Sequence, residues 1–267
     1  MKKSYFIIPV IIIAGLLIIL NLNFFEFDSQ NNEKMNEVDS DGAQLDAKTK
    51  AWILFGTGLP FELTDEELNF LMYDDNTVVI QPIFTQTAYI SGGFYDYYRE
   101  ECDSSCLTLP VERHETGFGP TDSRHAVRVF IELGWKIITD LSVHKNPSIL
   151  SNYEKVILLH NEYVTREMFE AITSHPNVIY LYPNALYAEV EYDEENDAIT
   201  LIRGHGYPDT NILNGFEWEF ENTHPYEFDT KCLNWEFYEI DNGLMLNCYP
   251  EWLIITEPDL LKKIKEL

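Results

Sequence analysis

Between Lys155 and Pro183 the chain passes from an aliphatic run, "KVILL", through "TREMFEAITSH", to a second aliphatic run, "NVIYLYP". Short continuous apolar runs bounded by polar residues predict strands buried on both faces. The segment between them has Thr165 as N-cap and Pro176 as its stop, and predicts a crossover helix. Strand, helix and strand at this spacing form a βαβ unit, and such units build a parallel sheet with helices on both faces. The alternation extends upstream. "WILF" from Trp52, "TVVIQPIF" and "WKIIT" read as buried strands. "LTDEELNFLMY" reads as a helix with Thr64 and Glu67 in a capping box, and "DSRHAVRVFIELGW" as a helix ended by Gly134. The expected fold class is α/β.

Other segments have a different character. From Thr85 to Asp122 about 40 residues, rich in Tyr and Gly, read as a long loop. Within it "SGGFYDYY", Ser91 to Tyr98, is either a lid or a packed Ω-loop. In the C-terminal third, "YAEVEYD" and "AITLIRG" alternate around a "DEEND" turn and predict an antiparallel hairpin. "EFYEIDNGLMLNC" predicts a second hairpin turning at Asp241–Asn242 or Asn242–Gly243, and "EPDLLKKIKEL" a closing helix with Pro258 as its first residue.

The N-terminus predicts a membrane segment. Lys2 and Lys3 precede a run without charge from Tyr5 to Phe25, which as a helix would span roughly 31 Å, the thickness of a bilayer core. A cleaved signal peptide is the other reading. The run is long for one, and Asn21 to Phe25 make a poor cleavage site. Residues 1–25 are therefore expected to be a transmembrane signal anchor, residues 26–50 a flexible acidic stalk, and residues 51–267 an extracytoplasmic α/β domain. The two lysines put the N-terminus in the cytoplasm. The 267 residues carry a net charge of −27. Such a surface repels nucleic acid and is soluble in its own right. The membrane, reached through the N-terminal helix, is the one partner the sequence names; a ligand or surface partner stays unidentified.

The cysteines are Cys102, Cys106, Cys232 and Cys248. Outside a cell an even number reads as two disulfides, here Cys102–Cys106 and Cys232–Cys248, the second pair flanking the second hairpin. A zinc site made of all four is the alternative.

Two stretches carry chemistry. "HNEY", His160 to Tyr163, follows the strand "KVILL", where open α/β sheets bind ligands. His160 and Glu162 are the candidate catalytic acid–base pair. Asn161 and Tyr163 are candidate ligand-binding residues, and Glu162, Tyr163 and His160 candidate metal ligands. A structural role is the competing reading, with His160 bonded to backbone and Tyr163 in the core. "RGHGYPD" adds His205, a ligand-binding candidate between two glycines that allow close backbone approach; a tight turn after the hairpin is its plain reading. "ENTHPYEFD" brings His224 and Asp229 into an aromatic stretch suited either to stacking on a ligand or to a second core.

The segment Gly134 to Val190 resembles the C-terminal region of the N,N-dimethylformamidase large subunit. The resemblance rests on Asp140 after a strand, a strand ending in H-x-E-Y, a following Thr cap, and a strand leading to N-A-x-Y. It implies a class I glutamine-amidotransferase-like fold and an iron or other divalent metal held by Tyr and Glu side chains, a type matched by Tyr163 and Glu162. The whole chain is also similar to membrane-anchored archaeal proteins. Amidotransferases of this class place a Cys nucleophile at the strand-to-helix turn. Here the turn reads Leu159, His160, Asn161, Glu162, so glutamine hydrolysis through a thioester is excluded at this position. Two functions compete: a domain without the nucleophile that binds a small ligand or surface partner at the carboxyl edge of its sheet, and a dimethylformamidase-like amide hydrolase that uses a metal. The second requires His160, Glu162 and His205 to converge.

Overall fold

The computed structural model describes residues 58–111, 123–220, 223–226 and 229–267, all within the unit Leu45–Leu267. The expected anchor, the stalk and the strand at Trp52 lie outside the described residues. Among the described residues no helix is long and apolar enough to cross a membrane.

The elements follow in this order: α1 (Asp65–Leu71), β1 (Thr77–Gln81), α2 (Ile83–Ala88), α3 (Phe94–Tyr98), β2 (Thr108–Pro110), α4 (Arg124–Glu132), β3 (Lys136–Thr139) and α5 (Asp140–Lys145). After a 3₁₀ turn at Pro147–Asn152 come β4 (Lys155–Leu158), β5 (Tyr163–Val164), α6 (Arg166–Thr173), β6 (Val178–Tyr180), β7 (Ala188–Asp193) and β8 (Ala198–Arg203). The chain closes with α7 (Thr223–Tyr226), β9 (Phe237–Ile240), β10 (Gly243–Leu246), α8 (Leu253–Thr256) and α9 (Pro258–Glu266). The fold is mixed α/β. A six-stranded sheet runs β3-β1-β4-β6-β10-β9, parallel throughout except for β9. A second, four-stranded sheet runs β2-β8-β7-β5.

The capping predictions hold. Thr64 and Glu67 bond reciprocally at the start of α1, and Thr165 accepts from the Met168 N–H at the start of α6. The central strands are buried on both faces, so alternate residues enter different cores. Val78, Ile80, Val156 and Leu158 face one, with Met168 and Ile172 of α6 and with Val190, Ile199 and Leu201 of the second sheet. Val79, Ile157 and Ile179 face the other, with Phe130 of α4 and Leu260, Leu261 and Ile264 of α9. Phe130 is fully buried; its truncation to Ala would cost about 3–5 kcal/mol.

Three expectations are corrected. "TVVIQPIF" is not one strand: β1 ends at Gln81 and α2 starts at Ile83, because Pro82 cannot donate to a ladder and suits a helix start. The long loop holds most of α2, all of α3, a 3₁₀ turn and β2. The hairpins do not form one C-terminal antiparallel region. β7 and β8 belong to the second sheet, whereas β9 and β10 extend the parallel sheet, with β10 beside β6. The β9–β10 turn falls at Asp241–Asn242 as expected, pairing Ile240 with Gly243.

Candidate functional site at the carboxyl edge

β4 does not lead directly into the helix behind it. The chain leaves the six-stranded sheet after Leu158 and turns tightly, with the Asn161 N–H donating to the Leu159 carbonyl at 2.7 Å. It then enters the second sheet as β5, parallel to β7. "HNEY" is therefore the crossover between two sheets. Its backbone groups are satisfied by neighbours on both sides. The Glu162 and Tyr163 N–H groups donate to Oγ1 of buried Thr85, at 3.0 and 3.2 Å. The Glu162 carbonyl accepts from the Tyr187 and Ala188 N–H groups, both at 2.9 Å.

The crossover buries Glu162 completely and surrounds its carboxylate with four polar side-chain groups. Oε1 faces His205 Nε2 at 2.5 Å and accepts from the Tyr95 hydroxyl at 3.1 Å. Oε2 accepts from the Tyr89 hydroxyl at 2.7 Å and lies 3.3 Å from His160 Nε2. The two phenol oxygens are 3.0 Å apart. Burial alone would push the Glu162 carboxyl up, but the charges and hydrogen bonds of His205 and His160 more than offset it and hold the group well below the usual carboxylate range. Burial and the same carboxylate push the Tyr89 and Tyr95 phenols well above their ordinary value, so both act as donors.

Three sequence candidates thus converge: His160, Glu162 and His205. His160 is 2% exposed. Its ring lies flat on Tyr182, and its Nε2 is 2.9 Å from Nδ2 of Asn184. The His160 bond to Glu162 needs a proton on Nε2, which calls for the Asn184 carboxamide turned over so that its oxygen meets that nitrogen. The backbone N–H of His160 donates to Ser123 Oγ at 3.0 Å.

His205 stands in the left-handed region at φ +52°, between Gly204 at φ +126° and Gly206 at φ +79°. A Cβ on Gly204 would fall 2.8 Å from the Ala188 Cβ, so only glycine lets this turn press against β7. The imidazole contacts the rings of Tyr95, Tyr98, Tyr163 and Tyr187. Its outer side, with Gly206, Tyr97, Tyr98, Glu100, Glu101 and Asp103, lines an open pocket of about 540 Å³. His205 thus links the enclosed Glu162 to the surface. A larger open pocket, between the Pro147–Asn152 turn and α6, shares no residue with this cluster.

The other candidates do not join the carboxylate. Tyr163 is a core residue whose hydroxyl donates to Tyr98 at 3.3 Å. Asn161 is fully buried, and neither side-chain amide atom has a hydrogen-bond partner. The His224 side chain lies outside the described residues. Asp229 accepts from the Cys232 N–H at 3.2 Å rather than facing the site. The reading of the sequence missed Tyr89, Thr85 and Asn184, and it singled out Tyr95 only as part of the stretch Ser91 to Tyr98, which does reach Glu162. Asn184 was visible in N-A-x-Y; Tyr89 was hidden in the supposed loop.

The cysteines pair as Cys102–Cys106 and Cys232–Cys248, which removes the four-cysteine zinc alternative. The first bridge closes the chain just after α3, the helix that carries Tyr95 to Glu162. Among the described residues no group of three or more His, Cys, Asp or Glu side chains could hold a metal ion. A donor set that includes phenols is different. Tyr89 meets Glu162 Oε2 at 2.7 Å, Tyr95 meets Oε1 at 3.1 Å, and the two phenol oxygens are 3.0 Å apart, the spacing of ordinary hydrogen bonds. By residue type they match the Tyr and Glu ligands that the resemblance implies, and holding a metal would require the phenols to give up the protons they now donate. No family model and no curated protein matches the chain.

Proposed function

We propose that this chain is a membrane-anchored, extracytoplasmic amide hydrolase related to the dimethylformamidases, with a degenerate class I amidotransferase-like fold and Glu162 at its working centre. The observation that carries this reading is the convergence of His160, Glu162 and His205 from two sequence-distant turns onto one buried carboxylate. A carboxylate held ionised between two imidazoles orients both, and an oriented imidazole near neutral pH serves as general base or acid. His205 has the access: it faces the open pocket with one side and Glu162 with the other. It would take a proton from attacking water and return it to the leaving nitrogen. His160, fixed by Asn184 and Tyr182, would hold the inner side of the carboxylate. Tyr89, Tyr95 and Glu162 would hold iron or another divalent metal, which when bound would polarise the amide carbonyl.

A second reading, a non-catalytic module that binds a ligand or surface partner at the same edge, is favoured by the complete burial of Glu162. One experiment separates them. Purified full-length protein is assayed for metal content and for amine release from small formamides, alongside Glu162→Gln and His205→Ala. Turnover lost in both variants supports the hydrolase; ligand binding by wild type without any amine release supports the module.

A further inference from the structure

The carboxyl edge carries a second buried acid–base group that the Glu162 cluster does not use. β4, β6 and β10 are adjacent parallel strands, and the residues just past them are His160, Tyr182 and Tyr249. These three rings contact one another, at centroid distances of 4.7 to 5.7 Å. Two residues beyond Tyr249 stands Glu251, 7% exposed. Its Oε2 accepts a short hydrogen bond from the Tyr182 hydroxyl. Its Oε1 is buried and has no hydrogen-bond partner. The imidazole Nδ1 of His125 lies 3.9 Å away, beyond hydrogen-bond length. His125 in turn lies over Trp252.

A buried carboxylate oxygen without a donor is costly, and groups of this kind in native proteins call for an occupant. The occupant's chemistry follows from the surroundings. It must offer a donor to Oε1. A single atom about 2.9 Å from both Glu251 Oε1 and His125 Nδ1 closes a triangle over their 3.9 Å base. The ring of Tyr182, whose hydroxyl bonds Glu251, and that of Trp252, which lies over His125, stand beside the pair, and aromatic rings attract a soft organic cation. A carboxylate and one imidazole fall short of the three protein ligands a metal site ordinarily has. The net charge of −27 draws cations to the surface and keeps anions away.

We propose that Glu251, backed by Tyr182 and His125, forms a second binding site at the carboxyl edge for a small organic ammonium ion. It stands independently of the reading of Glu162, since it shares none of that cluster's carboxylate contacts. The test uses full-length protein in detergent and methylammonium chloride as the probe, with sodium chloride at equal ionic strength as the reference. Saturation-transfer NMR should show the probe's methyl protons receiving magnetisation from protein aromatic protons, with a saturable titration. Glu251→Gln should weaken binding at least tenfold, and Glu162→Gln should leave it unchanged. Glu251→Asp, which keeps the charge, covers the case in which Glu251→Gln does not fold, and should bind more weakly than wild type. Absence of saturable transfer in wild type, or equal binding by folded Glu251→Gln or Glu251→Asp, would overturn the proposal. Loss of turnover in Glu162→Gln with ammonium binding intact bears on the hydrolase alone.

Discussion

The imidazole of His160 lies against the ring of Tyr182, centroids 4.7 Å apart and planes within 10° of parallel. The same imidazole reaches Asn184 and Glu162 through one nitrogen. His160 is thus a packing residue as well as a polar one. His160→Ala should cost about 1–3 kcal/mol, because it removes a ring stack and leaves the Asn184 carboxamide without its partner. Urea denaturation measures this. A loss below about 0.5 kcal/mol, the usual range of surface changes, would mean that the stack contributes nothing.

Asp140 should make stability fall as pH rises. It is fully buried at the end of β3, where Oδ2 accepts from the Phe84 N–H of α2 at 2.9 Å and Oδ1 from the Leu141 N–H at 2.7 Å. Burial pushes its carboxyl up to about 8, against the lowering effect of these backbone bonds. The native chain therefore keeps a proton that the unfolded chain releases near pH 4. Protons bound in excess by the native state mean that its stability contribution is full below about pH 4 and is lost as pH rises through about 8. Urea midpoints between about pH 5 and 8.5 should show a downward component that Asp140→Asn removes. Identical pH slopes in the two proteins would sink the assignment.

Thr85 is the backbone support of the crossover. Its Oγ1 accepts from two consecutive N–H groups, those of Glu162 and Tyr163. Thr85→Val keeps the shape and removes the acceptor, so each orphaned donor should cost about 1–3 kcal/mol. Thr85→Ser should recover most of that loss. Two variants of equal stability would show that the hydroxyl is not the determinant.

Non-reducing peptide mapping should find no free thiol, and Cys232→Ala/Cys248→Ala should destabilise the domain by about 3 kcal/mol, the value for closing a loop of this size. Alkylation of all four cysteines in native protein would contradict the pairing.

The anchor reading makes a prediction for the intact cell. The full-length protein should sediment with membranes, and protease added outside should digest residues 51–267. Mature protein beginning near residue 26 would replace the anchor with a cleaved signal.

The βαβ centre was legible because β4 and β6 are buried on both faces and so read as unbroken aliphatic runs. The caps at Thr64 and Thr165 were legible because capping is local. What escaped was short or non-local. α2 and α3, of six and five residues, are too brief to display a helical period. β5 has two residues and exists only because β7 lies beside it. The site was half legible for the same reason: a strand end announces His160 and Glu162, whereas Tyr89 and Tyr95 reach the carboxylate from 73 and 67 positions away.

The crossover at His160–Glu162 has a consequence for how such a site could diversify. Its floor is contributed by the ends of neighbouring strands, whose spacing is set by the ladder and cannot drift without unpairing the sheet. Its walls come from elsewhere: α3, closed off by a disulfide, and a glycine-flanked turn at His205. Floor and walls answer to different constraints. Reshaping the walls would change what enters while leaving the buried carboxylate where it is, so a family built on this plan could exchange ligands without rebuilding its chemistry.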